Sequence, residues 1–239
     1  MNWRLPALLA AIALPAAPAL AAPPYTLDDA FILAPGEGEV IPYLDTVFMP
    51  GHDEGEAGID TNWGLADGFQ LGAIVPLHSF AAGQDRVALG DISLHAKFSL
   101  TQGGNGVPAL AMGPTLAIPT DEEGREKVGL DLPLHATFEG DSWEVDLGAG
   151  YRFQADADGG DLPFGGIVVQ RALSGRLRLG AELYAEGGGH GGKTLVMAGP
   201  GFSWALSDRL TLVAAGHAIL TNRAENGRFH LYTSLIVTP

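Results

Sequence analysis

From residue 39 onward apolar and polar residues alternate, segment after segment. Val128-Gly129-Leu130-Asp131-Leu132-Pro133-Leu134-His135-Ala136-Thr137-Phe138 sets apolar residues on one face and polar ones on the other. Trp143-Glu144-Val145-Asp146-Leu147-Gly148-Ala149-Gly150-Tyr151-Arg152-Phe153 repeats the arrangement at once. A period of two marks a β-strand with one apolar face. Twelve such strands are predicted, at about 39–49, 56–64, 69–79, 89–101, 107–118, 128–139, 142–153, 164–172, 176–186, 193–204, 209–220 and 228–237. Most have the roughly 9–11 residues that a tilted strand needs to cross the hydrocarbon of a bilayer.

The pattern suits either a soluble sandwich, with apolar faces inward, or an antiparallel transmembrane β-barrel, with apolar faces on lipid. The connections favour the barrel. Leu65–Gly68, Gly140–Asp141, Leu173–Gly175 and Leu206–Asp208 are tight. The alternate ones, Gly51–Gly55, Ala81–Ala88, Thr120–Lys127, Gln154–Pro163, Gly187–Gly192 and Thr221–Gly227, are longer and more acidic. Short periplasmic turns and long outer loops distinguish the two rims of such barrels. Gln102–Gly106 is longer than the other turns of its rim. Aromatic residues gather near the tight turns (Trp63, Phe69, Phe98, Phe138, Trp143, Trp204) and at the opposite strand ends (Phe48, Tyr151, Phe153, Phe164, Phe229). Two interfacial girdles account for that distribution.

The first residues differ in kind. Arg4, the apolar stretch Leu5–Leu14 and Ala19-Leu20-Ala21 form the pattern of a signal peptide, expected over residues 1–21. Pro6, Pro15 and Pro18 interrupt the stretch and argue against a spanning helix. Residues 22–38 are expected to form a periplasmic N-terminal arm, and 39–239 a single barrel domain in the outer membrane of a Gram-negative cell. Without cysteine the exported chain has no disulfide. Its formal charge of −15 becomes −16 once the leader and its one arginine are removed. So acidic a chain lacks the basic patches that nucleic acid requires. The expected partners are outer-membrane lipid and lipopolysaccharide, the barrel-assembly machinery and a small-molecule solute.

Several stretches resemble one family of Gram-negative outer-membrane proteins. Trp63-Gly64-Leu65-Ala66-Asp67-Gly68-Phe69-Gln70-Leu71-Gly72, followed by Pro76, is similar to that family's aromatic-Gly-Leu-x-Asp hairpin and its terminal proline. Leu89-Gly90-Asp91-Ile92-Ser93-Leu94-His95-Ala96-Lys97-Phe98 resembles its Gly-Asp strand with a closing Lys. Pro108-Ala109-Leu110-Ala111 with Leu116, Pro119 and Thr120 matches the strand that follows. Asp28-Asp29-Ala30 and then Pro35-Gly36 resemble the Thr-Asp-Asp-Ala opening of one branch, with Leu27 intruding after Thr26. The family is described as transporters of the meta-pathway of phenol degradation. The resemblance implies an outer-membrane barrel and passage of small, including aromatic, molecules. The chain departs from outer-membrane custom at Ile236-Val237-Thr238-Pro239, where an aromatic last residue is usual.

If apolar residues face lipid, the opposite parity faces the lumen. That parity collects Asp60, Asn62, Asp91, Ser93, His95, Lys97, Asp131, His135, Glu144, Asp146, Arg152, Arg178, Glu182 and Glu186. A charge on the lipid face costs about 2–4 kcal/mol for Arg or Lys at mid-membrane, so confinement to one parity is expected. Acids outnumber bases in this set, and an open pore so lined favours cations. A barrel this small can also be filled by its own charge network.

Catalysis has one candidate. Ser93 and His95, with Asp91 and Lys97, share one strand face, the residue types of a nucleophile, base and orienting acid. No Gly-x-Ser-x-Gly elbow accompanies them. His95 and His135 with Asp91 or Asp131 form the one conceivable metal set, though a hydrogen-bonded lumen histidine is the simpler reading. Asp156–Asp161 lacks the downstream Glu of a calcium loop. No metal or cofactor is expected. The sequence thus favours a passive channel over a structural barrel closed by its charges, and either over an outer-membrane hydrolase.

Overall fold

The structure, a computed structural model, describes residues 25–81, 84–86, 91–120, 128–154, 161–187, 194–223 and 227–239. The expected leader lies outside these residues, as do most of the longer loops, including 121–127 and 155–160. Alternation becomes antiparallel strands throughout: β1 (Gly38–Met49), β2 (His52–Ala66), β3 (Phe69–Ala81), β4 (Gln84–Arg86), β5 (Ile92–Gly104), β6 (Val107–Met112), β7 (Thr115–Ile118), β8 (Gly129–Glu139), β9 (Trp143–Gln154), β10 (Leu162–Ala172), β11 (Leu177–Glu186), β12 (Leu195–Ser207), β13 (Leu210–Ile219) and β14 (Phe229–Val237).

These fourteen segments make a closed wall of twelve strands. β4 only extends a hairpin on β3 through Ser79↔Arg86 to Ala81↔Gln84. β6 and β7 are two halves of one wall strand, both paired with β5 and β8. The break falls at Gly113-Pro114, because Pro114 has no N–H for the ladder. Its carbonyl still accepts from Ala96 N at 3.0 Å. The ring closes through β1–β14, Val40↔Val237 to Phe48↔Phe229, and through β3–β5, Phe69↔Phe98 to Ile74↔Ser93. No open edge is left in the ring, the condition for a sheet to lie in lipid. Among the described residues no helix is long and apolar enough to cross a membrane; this chain crosses with strands.

Exposed apolar side chains cover the outside. Leu71, Leu94, Leu134, Leu147, Leu179 and Leu183 are all more than a third exposed. On a soluble protein so continuous a belt would be an aggregation surface; here it is the lipid face. Trp63, Trp143 and Trp204 stand exposed at the short-turn rim, and Arg171 lies over the Trp143 ring at 5.2 Å. Tyr151, Phe153 and Phe229 mark the other rim.

Three local expectations are corrected. The segment 51–55 is no loop: β1 and β2 stay paired to Met49↔His52, closed by Pro50-Gly51 with Gly51 at φ +97°. The turn at 102–106 is tight, since Gly104 pairs with Val107 across Asn105-Gly106. Both turn residues have positive φ (53° and 81°), the mirror-image hairpin turn that Asn-Gly favours. Phe164 belongs to no girdle; it lines the lumen beneath the Arg152 guanidinium, 5.7 Å away.

Candidate functional site: the lumen and the segment inside it

Residues 25–37, expected as an arm beside the periplasmic rim, run inside the bore. The path follows from one turn and three missing side chains. Ala34-Pro35-Gly36-Glu37 is a reverse turn closed by Glu37 N to Ala34 O at 3.0 Å, with Gly36 at φ +87°, the conformation that glycine after proline supplies. It sits at the short-turn rim, where Gly36 N donates to Gly64 O (2.9 Å) and Gly64 N to Glu37 O (3.0 Å). The chain before it therefore lies antiparallel to β1, up the lumen. Gly148, Gly180 and Gly201 make room there. A methyl at Gly148 would come within 2.5 Å of Leu27, and one at Gly201 within 2.5 Å of the Tyr25 ring; one at Gly180 would strike the Tyr25 hydroxyl. Tyr25 and Leu27 pack on Val168 and Ala215, and Ala30 on Ala109 and Ala111.

Side chains of the wall, not its backbone ladder, hold the segment from Thr26 to Leu33. Glu182 accepts the N–H groups of Thr26 (3.1 Å) and Leu27 (2.8 Å). Thr137 Oγ1 accepts Ala30 N (2.9 Å) and itself donates to Asp146 (2.7 Å). Gln70 Oε1 accepts Leu33 N (2.9 Å). Lys97 Nζ lies 2.7 Å from Asp28 and 3.4 Å from Asp29, and donates to Phe31 O at 3.2 Å. Burial pushes the Asp29 carboxyl up to about 6 against the pull of Lys97, with Asp28 adding to the rise. The Asp28 carboxyl is only half-buried, and Lys97, with His135 beyond it, outweighs the partial desolvation and holds it below the usual range.

Beside this segment a cavity of about 490 Å³ remains, bordered by Tyr25 to Asp28. It reaches from Asp131, Arg152 and Tyr184 toward the outer rim, past Asp45, Asp60 and Tyr232, to Glu39 and Gln70 near the short-turn rim. Arg152 is committed to Asp131 (2.9–3.1 Å) and Glu186 (3.3 Å). Arg178 is committed to Glu144 (2.6 Å) near the short-turn rim, and Gln170 supports that carboxylate at 3.1 Å. The uncompensated charge of the cavity is thus acidic.

The register places the lumen candidates on the inner face, apart from Asp91, which precedes the ladder. Asp60 pairs with Ile74 and Asn62 with Gly72 of β3; Ser93, His95 and Lys97 follow on β5. Asp91, just before β5, accepts Thr120 N at 3.1 Å. Asp131 faces Arg152, His135 faces Gly148, and Glu144 and Asp146 continue down β9. Arg178, Glu182 and Glu186 line β11. The bore does not unite them in one centre. Asp131, Arg152 and Glu186 form an outer group, Glu144 and Arg178 an inner one, and the arm with Lys97 and Glu182 lies between. His95 Nε2 is taken by Asn62 Oδ1 at 2.9 Å, with Asp60 at 3.6 Å. His135 is buried at the level of Gly113, not joined to His95 in a metal set. Among the described residues no group of three or more His, Cys, Asp or Glu side chains could hold a metal ion.

Sequence reasoning missed Glu39, Asp45, Glu56, His217 and His230, all inward by register. Their parity was legible from the same alternation; only β13, with Ala214, Ala215, Gly216 and Ala218, is so rich in small residues that its inner and outer faces look alike.

A family model described as "Putative MetA-pathway of phenol degradation" matches residues 49–234. No curated protein matches the chain. Among solved structures, the KdgM porin in complex with disordered oligogalacturonate is 12% identical, with a TM-score of 0.59 over 83% of this chain and 98% of that one. The NanC porin is 7% identical, with a TM-score of 0.60 over 83% and 99%. The β domain of the Bordetella autotransporter BrkA is 16% identical, with a TM-score of 0.53 over 86% and 100%. At such identities the likeness is one of fold, that of an outer-membrane β-barrel.

Proposed function

Since the chain belongs to the MetA-pathway phenol-degradation family of outer-membrane barrels, we propose that it is a passive channel for small molecules whose bore is closed by residues 25–37. The observation that carries this reading is a segment inside the ring that borders the acid-lined vestibule of about 490 Å³ and takes no part in the wall ladder between Thr26 and Leu33. The twelve-stranded ring keeps its backbone hydrogen bonds whether or not that segment is present. Its withdrawal therefore costs side-chain contacts and leaves the barrel intact. The acidic lining supports a preference for cations over anions; neutral solutes, including the aromatic compounds the family name suggests, are limited by width.

A leader ending at Ala21 suits this arrangement, because only Ala22, Pro23 and Pro24 then precede Tyr25 in the mature chain. Lipopolysaccharide around the outer girdle and the assembly machinery for insertion are the partners the reading requires. One observation favours the rival: the arm and the Arg152 and Arg178 pairs together fill much of the lumen, as a permanently closed structural barrel would require.

A tether separates the two. The chain has no cysteine, and buried Ala30 packs beside Ala109 and Ala111. In Ala30→Cys/Ala111→Cys, oxidised protein in a planar bilayer is expected to be silent. Reduction should give discrete, cation-preferring steps. Equal conductance in both states would remove the arm from the mechanism. Silence after reduction, from demonstrably inserted protein, would favour the closed barrel.

A further inference from the structure

The channel reading gives no task to His217 of β13 and His230 of β14, which face each other in the bore. Their Nδ1 atoms are 3.2 Å apart, with ring centroids at 5.4 Å and planes within 16°. The excess of the second distance over the first is what two imidazole radii span, so the nitrogens meet head-on. Nitrogens bridged in line by a metal ion would stand about 4 Å apart, at roughly 2.0 Å per bond. The observed separation fits a proton.

The outer nitrogens decide how many protons the pair holds. His230 Nε2 lies 2.8 Å from Asp45 Oδ1, and a carboxylate only accepts, so this nitrogen carries hydrogen. His217 Nε2 lies 2.8 Å from Glu182 Oε2, an ion-pair contact and not an aligned hydrogen bond, and both side chains are wholly buried. A bare nitrogen against a buried carboxylate would be repulsive, and a buried carboxylate needs a counter-charge. The bond between the two Nδ1 atoms needs a third proton. Three protons on two imidazoles make one imidazolium, placed between two carboxylates.

We propose that His217 and His230 share one proton and that this charged pair latches the arm, by neutralising the Glu182 carboxylate that holds Thr26 and Leu27. The inference rests on the arm being the closure of the bore. Asp45 lines the vestibule, so the latch is open to outside water at one end and touches the arm at the other. Glu56 faces Asp45 across β1 and β2, and Tyr184 of β11, Tyr232 of β14 and Tyr25 of the arm line the same cavity as His230; β12 presents Gly199, which has no side chain. Loss of the shared proton sets lone pair against lone pair and leaves Glu182 buried beside a neutral ring. Water must then reach Glu182, and the arm must leave. A second added proton sets N–H against N–H and also breaks the pair, so closure has an optimum in pH.

The test uses the full mature chain in nanodiscs with two readouts. In ¹⁵N-histidine-labelled protein a scalar coupling between the two Nδ1 nuclei reports the shared proton. Nitroxides at Thr26→Cys and Glu54→Cys report the position of the arm by pulsed electron-spin distance. Near neutral pH the coupling is expected together with a narrow distance distribution. Raising the pH until the coupling disappears should reduce the docked fraction at least tenfold. His217→Gln and His230→Gln should each abolish that pH dependence. An arm that stays docked after the coupling is lost, or a docked arm with no coupling, overturns the latch while leaving the plug in place. An arm undocked at every pH overturns the plug itself.

Discussion

Lys97→Met removes one charge and little volume, and its consequence is calculable from the contacts of the arm. Lys97 and Asp29 are both nearly inaccessible, with side-chain exposures of 8% and 3%, at 3.4 Å. Breaking a buried pair by deleting one partner costs about 3–5 kcal/mol. The 2.7 Å contact with Asp28 adds little, because that carboxylate is 44% exposed; pairs of this kind contribute about 0–1 kcal/mol. Phe31 O loses a donor, worth about 1 kcal/mol. Asp29 can take up a proton instead of remaining a bare charge, which caps the total. A loss of about 3 kcal/mol is expected, a shift of roughly a hundredfold toward the withdrawn arm.

The pH dependence follows from Asp29. Its docked carboxyl is raised to about 6, above the free value of 3.8, so the docked state binds the extra proton. The contribution of Asp29 to docking therefore grows as pH falls from about 6 toward 3.8 and is lost as pH rises through that window, opposing the loss of the His217–His230 pair on acidification. Without Lys97 the carboxyl rises further, so the variant should recover much of its docking by mild acidification. Asp28, held low by Lys97, acts in the opposite sense and only in strong acid. The assay is the spin-label distance between residues 26 and 54, repeated as bilayer conductance. A docked fraction in Lys97→Met equal to wild type near neutral pH would refute the reasoning.

Three further outcomes are expected. Gly201→Ala places a methyl within 2.5 Å of the Tyr25 ring while its nearest wall atom, Ala214 O, is 3.1 Å away; it should expel the arm, and protease sensitivity near residue 30 should rise in a barrel of unchanged heat resistance. Arg152→Gln frees Asp131 and Glu186 in the outer lumen, so reversal potentials under a salt gradient should move toward stronger cation selectivity. Ser93→Ala should leave conductance unchanged and alter no ester hydrolysis; a serine-dependent esterase activity would revive the hydrolase, against the engagement of His95 by Asn62.

The wall was legible because it is governed by local rules. Period-two alternation, tight turns and interfacial aromatics each report on neighbours along the chain, and a closed barrel pairs neighbouring strands nearly everywhere. The inward parity of Asp131, Arg152, Glu182 and the other lumen candidates follows from the same alternation. Sequence alone also determined that acids outnumber bases among these candidates.

What the sequence did not disclose depends on residues brought together across the bore. Pro35-Gly36 announces a turn, but not that the chain ahead of it lies inside the barrel. That outcome needs Gly148, Gly180 and Gly201, on strands far apart in sequence, to leave one gap, and Glu182, Thr137 and Gln70 to offer acceptors along one line. Phe164 obeys its parity and turns inward although it stands at a strand end. His217 and His230 appear as two isolated polar residues until β13 and β14 pair and set ring against ring. Alternation tells each residue which face it takes; only closure of the ring decides what it meets there, because that is set by the height and angular position of strands that share no local signal.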